Sequence, residues 1–153
     1  MTRACNETLR NGRNSPGNAI VRETGFAITA GRAMLRRLDE LGAGRRDFGF
    51  ETTLASRSLV PRIRRLARAG YECHLVFLWL PNADLAVARV ADRVRLGGHA
   101  VPEQTIRRRD RSGLRNFFAL YRALTTTWRM YDNSTYELRL IAFGGWKRDA
   151  SGQ

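Results

Sequence analysis

Lysine is almost missing from this chain: of its 27 basic residues only Lys147 is one, close to the end of 153 residues. That scarcity excludes, upstream of position 147, a glycine-rich loop whose closing lysine reaches the outer phosphates of a nucleotide. Gly12-Arg-Asn-Ser-Pro-Gly17 has the two-glycine spacing of such a loop, but Asn18 and Ala19 follow where Lys and Ser/Thr are required. No apolar strand precedes it, and it stands too near Glu51 to leave room for an intervening helix and strand. Cysteine is scarce too. Cys5 and Cys73 are too few for a disulfide framework, and both are expected as reduced thiols in a cytoplasmic protein. His74 and His99 are the only histidines, and no Cys or carboxylate cluster has metal-ligand spacing, so no metal site is expected. No apolar run approaches a membrane span, and polar Met1–Gly12 lacks the hydrophobic centre of a signal peptide.

What is abundant is arginine, and with it a formal charge of +13. Such a balance suits a nucleic-acid binder. The arginines are, however, spread over several predicted helices, with no single basic tail and little aromatic interleaving. Their excess over lysine reads as the codon usage of a GC-rich genome. Non-specific, salt-sensitive adhesion to polyanions is expected rather than dedicated recognition.

Residues 1–24, rich in Asn, Arg, Gly and Ser, are expected as a poorly ordered or unrelated arm, 25–146 as the domain, and 147–153 as a polar tail. Met34, Leu38 and Leu41 share one face of a helix over Thr29–Leu41, which Gly42 or Gly44 can end. Phe48 and Phe50 alternate in a short strand over Asp47–Glu51. Ser58 caps a helix reaching Ala69, with Pro61 in its first turn and Gly70 as its stop. His74–Leu80 is apolar on both faces, as an inner strand of a covered parallel sheet would be. Asn82 caps the next helix, which runs to about Leu96 with Ala83, Ala86, Val87, Val90, Ala91 and Val94 as its buried stripe. Helices over Pro102–Arg111 and Gly113–Thr125 follow, then strands over Trp128–Tyr131 and Leu138–Phe143. The alternation predicts an α/β sandwich with a mainly parallel sheet.

In open parallel sheets ligands bind beyond the carboxyl ends of the strands. Glu51, Thr52 and Thr53 follow one strand, and a carboxylate with two hydroxyls there can hold sugar hydroxyls or a metal-bound water. They can equally cap the following turn. Arg89 and Arg93 lie one helical turn apart on a common face. The loop Gly97-Gly98-His99 then hinges toward Arg107, Arg108 and Arg109, the arrangement of a lid that brings cations onto a transferring phosphoryl group. The bland reading of each arginine is a solvated face paired with Asp92, Glu103 or Asp110. Asp132 and Asn133 end a strand, where they can touch a nucleotide base or form a turn before Ser134.

Taken in order, Phe48-Gly-Phe-Glu-Thr-Thr-Leu, Gly70-Tyr71, His74-Leu-Val-Phe-Leu-Trp-Leu, Arg89-Val90, Arg93, Gly97-Gly98-His99-Ala-Val-Pro102, Ile106 with Arg109, and Tyr131-Asp132-Asn133 resemble the bacterial zeta-toxin-like P-loop kinases. The resemblance covers about Gly31 to Gly144. It implies a P-loop NTPase-like three-layer α/β/α sandwich and the use of ATP with Mg²⁺. It also implies phosphorylation of a small molecule such as UDP-N-acetylglucosamine, and restraint by an antitoxin. By position, Glu51 and Thr52, with Thr53 beside them, match the substrate-side acidic motif. Arg93 and Arg109 match the arginines that clamp the phosphates, with Arg89, Arg108 and His99 as their lid neighbours. Asp132 and Asn133 fall on the nucleotide side.

Three departures stand out. Asp110 replaces an aromatic after the second arginine, Ser112-Gly113 replaces a basic-Ser pair, and the phosphate loop with its following aspartate is missing. The sequence before Thr29 reads as unrelated residues joined to a kinase core. A truncated, catalytically silent chain is therefore expected. The alternatives are a non-catalytic substrate- or antitoxin-binding remnant and a basic nucleic-acid binder.

Overall fold

The structure is a computed structural model that describes residues 19–135 and 137–145, with the backbone alone over 19–30. The chain divides into two compact units, and among the described residues the division falls between Phe50 and Glu51.

The first unit is dominated by helix α1, Ala19–Ala43. It begins ten residues before the expected start at Thr29, so part of the expected N-terminal arm is helical; residues 1–18 of that arm lie outside the described residues. Leu38 is buried and Met34 and Leu41 half-buried, as their shared face requires. Gly44, whose N–H donates to the Glu40 carbonyl at 3.0 Å, follows the helix end. The strand expected over Asp47–Glu51 does not form. A strand exists only where a neighbour accepts its ladder bonds, and among the described residues the sheet holds three strands, none of them this one.

The second unit carries α2 (Val60–Arg68), β1 (His74–Trp79), α3 (Ala83–Arg95), α4 (Glu103–Asn116), β2 (Thr127–Asp132) and β3 (Arg139–Gly145). Ser58 does not cap α2. Leu59 occupies the cap position, and the Ser58 N–H and hydroxyl are both engaged with the Ser56 hydroxyl in a tight turn upstream. At the other end Gly70 takes φ +90°, the Gly70 N–H donates to Ala67 and the Tyr71 N–H to Leu66, which closes the helix in a left-handed glycine cap.

Strand β1 pairs parallel with β2, and β2 antiparallel with β3, in the order β1-β2-β3. The sheet is thus mixed, with β2 central and β1 at one edge of the described strands. Phe77 and Leu78 of β1 are buried, but Leu75, Val76 and Trp79 are half-buried and His74 is exposed, so the expected cover on both faces is partial. His74 instead meets the Thr127 hydroxyl at 2.8 Å. The core is aromatic: Phe117, fully buried, stacks on Phe77 at 4.7 Å and meets Trp128 edge-on at 5.5 Å.

The expected break between two helices at Ser112-Gly113 is absent. Helix α4 runs through it, then widens to a π turn over Phe117–Tyr121 and tightens to a 3₁₀ turn over Arg122–Leu124. Gly113 belongs inside this helix for a packing reason: a Cβ there would lie 2.3 Å from the Thr53 carbonyl oxygen. In α3, Ala83, Ala86, Val87 and Val90 are half-buried as expected, but Ala91 and Val94 are exposed. The helix turns its Arg89–Arg93 side, not its whole apolar stripe, toward the interior.

Candidate active site

Helices α3 and α4 and strand β1 enclose a pocket of about 170 Å³. Phe77, Leu78, Leu80, Val90, Val101 and Ile106 make an apolar floor, and Arg89, Arg93, Arg109, Asp110 and Thr53 supply its polar groups. The one-turn spacing of Arg89 and Arg93 brings both into it. Arg109 reaches it from α4, and Thr53 from the segment that follows Glu51.

The pocket arginines are differently held. Arg93 donates to the His99 carbonyl at 2.9 Å, and its Nε is buried with no hydrogen-bond partner. Gly98 lies directly on this side chain: a Cβ at Gly98 would stand 2.6 Å from Arg93 Cγ and 2.7 Å from its carbonyl oxygen. The glycine pair therefore acts less as a hinge than as a close-packed cap. Gly97 takes φ +84°, and the Gly98 N–H donates to the Arg93 carbonyl at 2.9 Å. Arg89 donates to the Thr135 carbonyl at 3.3 Å. Neighbouring arginines behave as solvated faces do. Arg107 bridges Asp84 and Glu103, both at 2.7 Å, and Arg95 pairs with Asp92. Glu103 and Asp92 are thereby occupied away from the pocket.

Asp110 lines the same pocket as the three arginines, and no hydrogen bond or ion pair holds it among the described residues. Burial pushes its carboxyl above the ordinary carboxylate value.

The segment after Glu51 is strained and tightly held. Leu54 is 2% exposed with φ +55°, a left-handed conformation costly for a branched side chain. Its N–H donates to the Thr52 hydroxyl at 3.2 Å. Asn116 Nδ2 donates to the carbonyls of Leu54 at 2.8 Å and Ala55 at 3.2 Å, and the Tyr121 hydroxyl to that of Ser56. Three successive turns of one helical rod thus grip four successive residues.

Of the residues expected from sequence, Arg89, Arg93, Arg109 and Thr53 meet in the pocket. Glu51, His99 and Arg108 are exposed and do not line it. Arg108 lines a separate depression with Arg111, Ser112 and Arg115. His99 contributes its carbonyl rather than its ring. Thr52 acts through the turn it bonds. Asp132 and Asn133 lie at the carboxyl ends of paired strands, the Asn133 N–H donating to the Trp79 carbonyl at 2.9 Å. The Asp132 carboxylate accepts from the Ser134 N–H and hydroxyl and from Arg139. These same donors, Ser134 first, hold its carboxyl below the ordinary value. Asp110, Gly113, Asn116 and Tyr121 were not expected; Arg109, Gly113 and Asn116 follow the i, i+4, i+7 pattern of one helix face, which was the available signal.

The model of the family described as "Zeta toxin" matches residues 24–137, more than half of the chain. The chain belongs to the zeta toxin family. Its fold is accordingly P-loop NTPase-like, and the pocket arginines fall within the matched region. An "Uncharacterized protein" of Haemophilus influenzae (strain ATCC 51907 / DSM 11121 / KW20 / Rd) is 27% identical over 86 residues, which is 48% of this chain and 61% of that relative. No solved structure matches.

The family is nucleotide-dependent, and the residues present can be set against ATP and Mg²⁺. Three arginines, Arg89, Arg93 and Arg109, line the pocket, and their chemistry suits a phosphate group. For the metal the pocket offers little: Asp110 is the only carboxylate among its lining residues. Among the described residues no group of three or more metal-ligating side chains gathers, and no helix is long and apolar enough to cross a membrane.

Proposed function

We propose that this chain is a zeta-toxin-family protein that binds the phosphorylated end of a nucleotide sugar such as UDP-N-acetylglucosamine, and does not itself carry out phosphoryl transfer from ATP. The observation that carries this reading is that Arg89, Arg93 and Arg109 line one pocket together with Thr53. Arginine forks match phosphate oxygens bidentately, and Thr53, in the lining of the same pocket, carries a hydroxyl of the kind that pairs with a sugar hydroxyl.

Phosphoryl transfer is nearly all positioning and charge stabilisation. A chain without a lysine next to a glycine-rich nest lacks the main electrostatic partners of the β- and γ-phosphates, so turnover should be lost by many orders of magnitude. This chain is then a substrate- or antitoxin-binding member of its family rather than a working kinase.

Isothermal calorimetry with two ligands tests both halves. UDP-N-acetylglucosamine should bind and ATP·Mg should not; micromolar ATP affinity overturns the claim of silence. Arg93→Ala should weaken sugar-nucleotide binding by about 2 kcal/mol, a charged hydrogen bond's worth, whereas Arg95→Ala should not. Equal effects of the two substitutions would favour diffuse charge attraction instead.

A further inference from the structure

Helix α4 has two tasks in the second unit, and they fall on one face. Arg109 projects from it into the pocket; four residues on, Gly113 lines the same pocket and lies against the Thr53 carbonyl; three further on, Asn116 binds the next two carbonyls. Past the π turn, Tyr121 takes the Ser56 carbonyl. A π turn inserts one residue into the helical repeat, which returns Tyr121, rather than Leu120, to this face.

The contacts are specific in kind. Asn116 is 2% exposed, and its amide nitrogen donates to the successive carbonyls of Leu54 and Ala55. Without these bonds, Leu54 has little reason to keep φ +55°, since a leucine relaxes readily to a negative φ. That relaxation would swing the preceding residue, Thr53, out of the pocket. Gly113 acts by what it lacks. The Thr53 carbonyl can approach α4 only because no methyl stands there, and any other residue would push the segment away.

We infer that Gly113 and Asn116 are positioning residues, which fix Thr53 opposite the arginines by holding the Thr52–Ser56 segment in a strained, preformed shape. This rests on the reading of the pocket as a phosphate and sugar-hydroxyl site. It adds that α4 sets both halves of that site, so the cation Arg109 and the acceptor-side segment keep one fixed spacing. Preorganisation of this kind raises affinity because the strain is met on folding, not on binding.

Two single substitutions in the full chain, Gly113→Ala and Asn116→Ala, test the inference by amide hydrogen exchange and by calorimetry with UDP-N-acetylglucosamine. Exchange should quicken at Leu54–Ser56 and stay unchanged in α3 and β2, and affinity should fall about tenfold, the loss expected for one well-placed hydrogen bond. Gly113→Ala is the sharper probe. In an ordinary helix position it raises thermal stability. Raised stability with unaltered exchange over 54–56 would overturn the inference, as would a loss of protection spread evenly over the unit in both variants. Exchange decides the positioning role even if the unmodified chain binds no sugar nucleotide, and that second failure would strike the functional reading alone.

Discussion

Asp110 and Asp132 are two carboxylates on neighbouring parts of one unit whose surroundings push them in opposite directions, and pH separates them. Burial raises the Asp110 pKa above its ordinary value of 3.8. The folded state then holds that proton more tightly than the unfolded chain, so stability falls as pH rises through the window between the two values. The cost is complete above the folded value and absent below 3.8. Asp110→Asn should therefore melt higher than the parent chain at pH 7, with the gap closing at acid pH. It should also tighten anion binding, because an acceptor facing the ligand becomes an amide. Asp132 behaves oppositely. Donation from Ser134 and Arg139 lowers its pKa, so its contribution is present above 3.8 and is lost as pH falls through its lower folded value. Thermal melts of Asp110→Asn and Asp132→Asn from pH 3 to 7 should diverge in sign at the neutral end. Parallel curves would show that neither environment is as described.

At the scale of elements, the helix ends show why some of this fold could be read from sequence. Gly70, expected as a stop, and Gly97, which follows the helix expected to reach about Leu96, each stand one residue past the C-terminal cap, with φ +90° and +84°, a region that only glycine enters freely. Asn82 was legible for a similar reason: a short polar side chain before an apolar run accepts the Leu85 N–H at 2.9 Å. What could not be read depends on partners distant in sequence. Ser58 had the right chemistry for a cap, but the chain placed its hydroxyl against Ser56. Gly113 looked like the start of a separate helix until the Thr53 carbonyl supplied another reason for a missing side chain. The Asp47–Glu51 alternation was genuine, but alternation does not supply a neighbouring strand. The site shows the same division. Arg89 and Arg93 could be paired from their spacing, whereas Asn116 needed contacts with residues 61 and 62 positions earlier.

Gly98 gives the element-scale prediction. A methyl group at this position would collide with Arg93 Cγ and with the Arg93 carbonyl in the last turn of α3. Gly98→Ala should therefore destabilise the chain by about 1–3 kcal/mol, the usual cost of overpacking, and displace the Arg93 guanidinium. Chemical denaturation would give the first effect and a weaker affinity for inorganic phosphate the second. Gly31→Ala, with nothing within 4 Å of the new methyl, should show neither.

For the whole molecule, a surplus of positive charge and an apolar strand surface push association in opposite directions as salt changes. Leu138, Leu140, Ile141 and Phe143 are all exposed, Phe143 at 74%, and β3 ends the described sheet beyond β2. An exposed apolar terminal strand offers both side chains and unpaired backbone to another copy. Against this stands a formal charge of +13, which holds copies apart over a distance that salt shortens, from about 10 Å at 0.1 M to about 3 Å at 1 M. Self-association should consequently rise with added salt, whereas adhesion to DNA or other polyanions should fall steeply, since it depends on released counterions. Phe143→Lys adds charge and removes the most exposed of the four apolar groups at once. By light scattering across a salt series, this variant should stay monomeric to higher salt than the parent chain, with a melting temperature little changed because surface substitutions move stability by about 0.5 kcal/mol or less. Aggregation of parent and variant at the same salt concentration would show that β3 is not the surface through which copies meet.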